Sequence, residues 1–196
     1  MAKALEFWFD FASPYSYLSA QRIEGLAAEV GLVVRWRPFL LGPIFKSFGW
    51  DTSPFLLQRE KGAHMWIDVA RQCRKYGLDW VRPSVFPRGS VLASRVALLL
   101  DDQDEAGPFC RRVMRRNFAE DGDIAAPDEI ARILSDLGQP AENFLAAAAR
   151  EDIKSRLRTQ TELAKSRGIF GAPTFFAGPE MFWGNDRLED AIALLS

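Results

Sequence analysis

Two stretches, one near each end of the chain, carry residue types at a spacing that could do chemistry. The first is Ser13-Pro14-Tyr15-Ser16, between a bulky apolar run, Leu5 to Phe11, and an amphipathic one. Serine followed by proline at such a junction reads as a helix N-cap with proline at the first helical position. A helix start leaves backbone N–H groups unpaired and carries roughly half a unit of positive charge. The Ser13 hydroxyl either caps the helix and nothing more, or also donates to an anion that those N–H groups attract. The second stretch is Gly168 to Arg187. Pro173 stands before Thr174-Phe175-Phe176-Ala177, Gly178-Pro179 turns the chain into Met181 to Trp183, and Asp186 opens a closing helix. Proline cannot donate to a strand ladder, so Pro173 suits a strand's first position or a bulge.

The elements that must position these residues follow from periodicity and punctuation. Glu6–Phe11 is expected as a strand, Pro14 to about Glu29 as a helix closed by Gly31, and Leu32–Pro38 as a strand with one wet face. Residues 39–52 are apolar without a clean period and are expected to line a cavity. A capped helical run is predicted from Ser53 to Tyr76, stopped at Gly77, and 79–87 reads as a proline-bound extended connection. Helices are then predicted over 90–100, 105–120, 127–137, 141–149 and 153–167. The ends thus read β-α-β and β-β-α around a helical middle. No linker, repeat or low-complexity tract divides the 196 residues.

Composition excludes several classes of function. Twenty-five basic and 26 acidic residues nearly cancel, and no basic stretch is interleaved with aromatics, so a nucleic-acid partner is not expected. The apolar run Val96–Leu100 is far too short to span a bilayer, and the first residues show no signal-peptide pattern. A cytoplasmic location is expected. Cys73 and Cys110 are far apart in sequence and read as free buried thiols, and a single histidine, His64, supplies no His-based metal cluster. His64 is expected at the surface, and no Gly-x-Ser-x-Gly elbow supports a Ser-His-Asp hydrolase.

Ser13-Pro14-Tyr15-Ser16-Tyr17-Leu18, Gly-Ile-Phe-Gly-Ala-Pro-Thr-Phe-Phe (168–176) and Phe-Trp-Gly-Asn-Asp-Arg-Leu (182–188), in this order, resemble the 2-hydroxychromene-2-carboxylate isomerases. These are glutathione-dependent thioredoxin-fold proteins related to DsbA and to kappa-class glutathione transferases. The resemblance spans essentially the whole chain. It implies an α/β thioredoxin-like fold, with residues 1–39 and 166–196 as the core and 40–165 as a large inserted all-helical lobe. It further implies a homodimer, glutathione as cofactor and a small aromatic anion as substrate.

Disulfide exchange at this helix start needs two thiols, one to attack and one to resolve. Ser13 and Ser16 can do neither. What the pocket can do is hold another molecule's thiolate, and the resemblance makes that molecule glutathione, with Ser13 the catalytic donor to its sulfur. Pro173 is then cis and exposes Ala172 for strand-like pairing with the cysteinyl unit. Gly184, Asn185, Asp186 and Arg187 receive the γ-glutamyl end, backbone N–H groups facing its carboxylate and Asp186 its ammonium. Asn185 or Asp186 would equally serve as an N-cap. Lys46 sits in the isomerase-like Ile-Phe-Lys context and either meets a substrate carboxylate or enolate, or is simply solvated. Trp50, Asp51 and Arg82 complete the expected substrate-binding set, although Arg82, like Arg88, either binds substrate or is an arginine on a solvated loop. The isomerases usually carry Asn soon after the Phe-Lys segment and after the later Phe-Pro. Here those places read Gly49-Trp50-Asp51 and Arg88-Gly89, which alters the acceptor pocket's polar groups; Arg88 is expected on a solvated loop. The activity implied is a glutathione-dependent cis-trans isomerisation in naphthalene-type aromatic catabolism. The alternatives are a kappa-like glutathione transferase and a non-catalytic glutathione- or peptide-binding module.

Overall fold

The computed structural model describes residues 3–101 and 105–196. At its centre lies β1 (Ala4–Phe9), paired in parallel with β2 (Val33–Pro38) and antiparallel with β3 (Thr174–Ala177); β4 (Glu180–Trp183) pairs with β3 on the outside, giving the order β2-β1-β3-β4. Period-two side-chain alternation sends Phe7 and Phe9 to one face and Trp8 to the other. On the first face Phe7 packs on Trp36 and Phe175 with ring centroids 5.2 and 5.5 Å apart. That face belongs to a core that continues into the helices. Trp8 heads a smaller cluster with Phe39, Ile44, Ala164, Ile169 and Phe176, against which Ala172 packs. A sheet buried on both faces needs helices on both, and the chain supplies them.

Those helices are α1 (Pro14–Ala20), α2 (Ile23–Glu29), α3 (Leu41–Ser47), α4 (Pro54–Leu57), α5 (Arg59–Tyr76), α6 (Val91–Asp101), α7 (Ala106–Phe118), α8 (Pro127–Asp136), α9 (Ala141–Ala148), α10 (Glu151–Ser166) and α11 (Leu188–Leu195), the last preceded by a 3-10 turn, Asn185–Arg187. From α6 to α10 each helix lies within two residues of its expected span. Among the described residues, everything regular between β2 and β3 is helical. No helix of the described residues is long and apolar enough to cross a membrane.

Three expectations are corrected. The first strand lies two residues earlier than 6–11, because the Asp10 carboxylate binds the Ala12 and Leu41 N–H groups and pulls the chain out of the ladder. The single helix 14–29 is broken at Gln21 and Arg22. Their side chains are anchored elsewhere, Gln21 on the Arg111 carbonyl and Arg22 on Asn185, Glu189 and the Tyr76 ring. The run 53–76 is broken at Gln58, whose extended backbone lets α4 fold back on α5. Residues 39–52, which show no clean period in the sequence, contain α3.

The α4–α5 contact depends on Gly62. A Cβ there would stand 2.0 Å from the Phe55 carbonyl oxygen, a backbone atom that cannot swing away. Gly62→Ala is therefore expected to lower unfolding stability by about 1–3 kcal/mol through overpacking, read from the shift of a urea midpoint.

Candidate functional site

Ser13 ends the β1–α1 turn, which its own N–H closes onto the Asp10 carbonyl at 3.0 Å. Its extended backbone and the proline after it start α1 here. The side-chain oxygen accepts from the Ser16 N–H at 3.2 Å and donates to the Ala172 carbonyl at 3.0 Å. Capping and site-building are thus one hydroxyl's two roles. The Ala172–Pro173 bond is cis, matching the resemblance, and Phe86–Pro87 is a second cis bond that the sequence reading did not anticipate. The Pro173 carbonyl accepts from the Gly184 N–H at 3.0 Å, and the Thr174 hydroxyl donates to the Gly171 carbonyl at 2.9 Å. The second stretch is therefore hydrogen-bonded to itself and to Ser13. Ser13 is 6% exposed, so a ligand reaches only its outer edge.

Beneath the turn lies a polar layer that sequence reasoning missed. The buried Asp10 carboxylate accepts from Ala12 N at 2.9 Å, from Leu41 N at 2.8 Å and from the Ser90 hydroxyl. It thereby ties the site turn to the starts of α3 and α6. Burial holds its pKa above the ordinary carboxylate value, against the lowering effect of those three hydrogen bonds. The buried Asn117 amide donates to the Phe11 carbonyl at 3.1 Å, and Arg88 donates to the Asn117 side-chain oxygen at 2.9 Å and pairs with Asp121. Arg88, expected on a solvated loop, is only 7% exposed. Fixed acceptors offset the cost of taking a guanidinium out of water, and besides the nearby Ser84 hydroxyl they are Asn117 and Asp121, 29 and 33 residues away, beyond what local reading can find.

Around Ser13 the expected ligand residues divide. Asp186 is exposed and paired with Arg187, itself exposed and also paired with Asp190. Asp186 lies close enough to Tyr15, in the first turn of α1, to push its phenol pKa up together with burial and Asp68, which accepts the Tyr15 hydroxyl at 2.8 Å. The Asn185 side chain is committed inward: its oxygen accepts from Ser19 at 3.0 Å and its amide reaches the Tyr76 hydroxyl. It can offer a ligand only its backbone. Gly184 precedes it at φ +110, a left-handed backbone suited to glycine.

Lys46 ends α3 exposed, and the exposed Trp50 packs on Phe45 and Phe48 beside the exposed Asp51. Arg82 lies elsewhere. Its guanidinium sits 5.2 Å from the Trp66 ring, in a groove lined by Trp66, Ile67, Ala70, Arg74 and Trp80. On α5 that face is turned away from Asp68, which meets Tyr15. His64 is exposed, and Cys73 and Cys110 are buried free thiols, their pKa values raised by burial, Cys73 to about 11. Among the described residues, no group of three or more His, Cys, Asp or Glu could hold a metal ion.

The chain matches the DSBA-like thioredoxin domain over residues 4–195. It is 32% identical to the 2-hydroxychromene-2-carboxylate isomerase of Sphingobium xenophagum, with 96% of each chain covered. It is 26% identical to glutathione S-transferase kappa 1 of Rattus norvegicus, over 95% of this chain and 88% of that one. Among solved structures, a 2-hydroxychromene-2-carboxylate isomerase superposes with a TM-score of 0.88 at 28% identity, over 98% of this chain and 95% of the other.

Asp10→Asn replaces an acceptor oxygen with a donor that faces an N–H, and is expected to cost about 1–3 kcal/mol in the acid range. The folded state holds the Asp10 proton more tightly than the unfolded chain does, so this group's contribution falls as pH rises from 3.8 through the raised value. Denaturation at a series of pH values should therefore show the gap between wild type and Asp10→Asn narrowing as pH rises.

Proposed function

The chain belongs to the DSBA-like thioredoxin domain family, and from that premise we propose that it is a glutathione-dependent 2-hydroxychromene-2-carboxylate isomerase. One observation carries the reading: at the start of α1, where disulfide exchange would need a thiol, stands a serine whose hydroxyl meets the carbonyl preceding a cis-proline. The relatives named as isomerases and as kappa-class transferases support it.

In the resting site the Ser13 hydroxyl is spent on Ala172. A serine has one proton to donate, so binding a thiolate requires an exchange. The glutathione cysteinyl N–H takes over the Ala172 carbonyl, and Ser13 turns its proton toward the sulfur. No hydrogen bond is lost in the exchange. The α1 N-terminus and this donor favour the thiolate, and a shift of about one to two units from a free thiol pKa near 8.5 makes it the main species at neutral pH. The γ-glutamyl carboxylate meets backbone N–H groups of the 184–187 turn, with Asp186 at its ammonium and Arg187 holding Asp186 in place.

The thiolate adds to the electrophilic carbon of the unsaturated α-keto acid in equilibrium with the cyclic hemiketal. The new C–S bond forms as the carbon–carbon double bond shifts its electrons into an enolate. Rotation about the resulting single bond is easy, and collapse of the enolate expels the thiolate, giving trans-o-hydroxybenzylidenepyruvate. Glutathione is returned unchanged. Lys46 is assigned the substrate carboxylate, with Trp50 and Asp51 beside it; Arg82, on the far face of α5, has no part in these steps. The reading extends to a cytoplasmic homodimer that serves aromatic catabolism.

The test is the ultraviolet time course of 2-hydroxychromene-2-carboxylate with and without glutathione. Turnover should require glutathione, leave it unconsumed, and fall by about 100-fold or more in Ser13→Ala, as when a preorganised donor is removed. A stable conjugate would identify a transferase instead; bound glutathione with no chemistry would leave a binding module; turnover without glutathione would overturn the mechanism. In the wild type kcat/KM should rise with pH to a plateau set by the bound thiol, and in Ser13→Ala that inflection should move up toward 8.5.

A further inference from the structure

The steps above leave the aromatic ring of the acceptor without a partner. The same edge of the sheet carries a partner that no step uses. Trp8 near the end of β1 stands opposite Thr174 at the start of β3, and Thr174 opposite Trp183 at the end of β4. The Ser13 turn, Pro173 and Trp183 therefore leave the sheet at one end. The Trp183 indole lies on Gly171, where a Cβ would come within 2.4 Å of its Nε1. Gly171 adjoins Ala172, whose carbonyl takes the Ser13 proton. The Phe170 ring packs against the indole, with centroids 4.8 Å apart and planes at 59°.

Although so held, Trp183 is 52% exposed and Phe170 42%. The chain has 15 Phe, six Trp and three Tyr, and among the described residues four of these are exposed: Phe48, Trp50, Phe170 and Trp183. Phe48 and Trp50 follow α3, whose first N–H is bound to Asp10 in the site turn. Every exposed aromatic thus rides on a segment tied to the Ser13 turn. An aromatic ring left open beside a polar site, on a seat that only glycine permits, is suited to stacking.

We propose that Trp183, seated on Gly171 and backed by Phe170, is the platform on which the aromatic ring of the acceptor stacks beside the glutathione sulfur. This rests on the isomerase reading of the site. It makes Trp183 a specificity-determining residue, favouring planar aromatic carboxylates over aliphatic ones of equal charge.

Kinetics of Trp183→Leu, Trp183→Phe and Gly171→Ala provide one test. Trp183→Leu should raise KM for 2-hydroxychromene-2-carboxylate about tenfold, with glutathione affinity by calorimetry unchanged. Trp183→Phe, which keeps a ring, should recover most of the loss; Gly171→Ala, which lifts the indole off its seat, should resemble the Leu variant. The second test needs no turnover. In glutathione-loaded protein, the Trp183 indole N–H resonance, assigned by its disappearance in Trp183→Phe, should move on titration with 2-naphthoate and stay put with cyclohexanecarboxylate. An unmoved resonance with 2-naphthoate, or an unchanged KM in Trp183→Leu, overturns the platform. So does a Trp183→Leu change confined to the sedimentation coefficient, which would mark the patch as a contact between copies. A wild type that binds glutathione but turns nothing over would sink the isomerase reading, and the resonance would still decide the platform.

Discussion

Everything at this site depends on one hydrogen bond between residues 159 positions apart, from the Ser13 hydroxyl to the Ala172 carbonyl. It joins the β1–α1 turn to the loop that enters β3, and so joins the two ends of the chain. The sheet makes it reachable, because β1 is the strand that pairs both with β2 and with β3. A serine there caps its helix and holds the facing loop at once. A cysteine in its place would bring covalent chemistry; alanine would leave the cap and the loop both unsupported.

The bond is only as well placed as the turn that bears it, and the turn is fixed from below. Asp10 gathers donors from its own turn, from α3 and from α6; Asn117 and Arg88 carry the support outward to Asp121. Buried polar groups are stable only when satisfied, so each member holds the next in one arrangement. The helices between β2 and β3 thus do more than cover the sheet. They supply the acceptors and donors that keep Ser13 in position.

The surroundings of Ser13 are chemically lopsided. On the side of Tyr15, Asp68 and Asp186 the groups are polar, which suits the charged end of a peptide. Toward Phe170, Trp183 and the end of α3 they are aromatic and exposed. The two departures from the isomerase pattern separate accordingly. Arg88 is spent within the polar layer, whereas Gly89 and Gly49-Trp50-Asp51 are exposed.

The sequence by itself determined the strands at the two ends and the helical middle, the exclusion of thiol exchange, and the pairing of a capping serine with a strand-entering proline. These rest on local rules: the period of apolar residues, the missing N–H of proline, and the absence of sulfur at one helix start. The helices from α6 to α10 were legible for the same reason, their apolar residues keeping a helical period. Only the tertiary structure decided where helices break, as at Gln21-Arg22 and Gln58. It alone turned the Asn185 side chain inward, put Arg88 in the interior, placed Arg82 on the far face of α5, and laid Trp183 on Gly171. In each case the deciding partner is distant in sequence or hidden until the backbone folds. Asp10 shows it most plainly: as a letter it is one acid among 26, and burial beside Leu41 and Ser90 makes it the hub of the site.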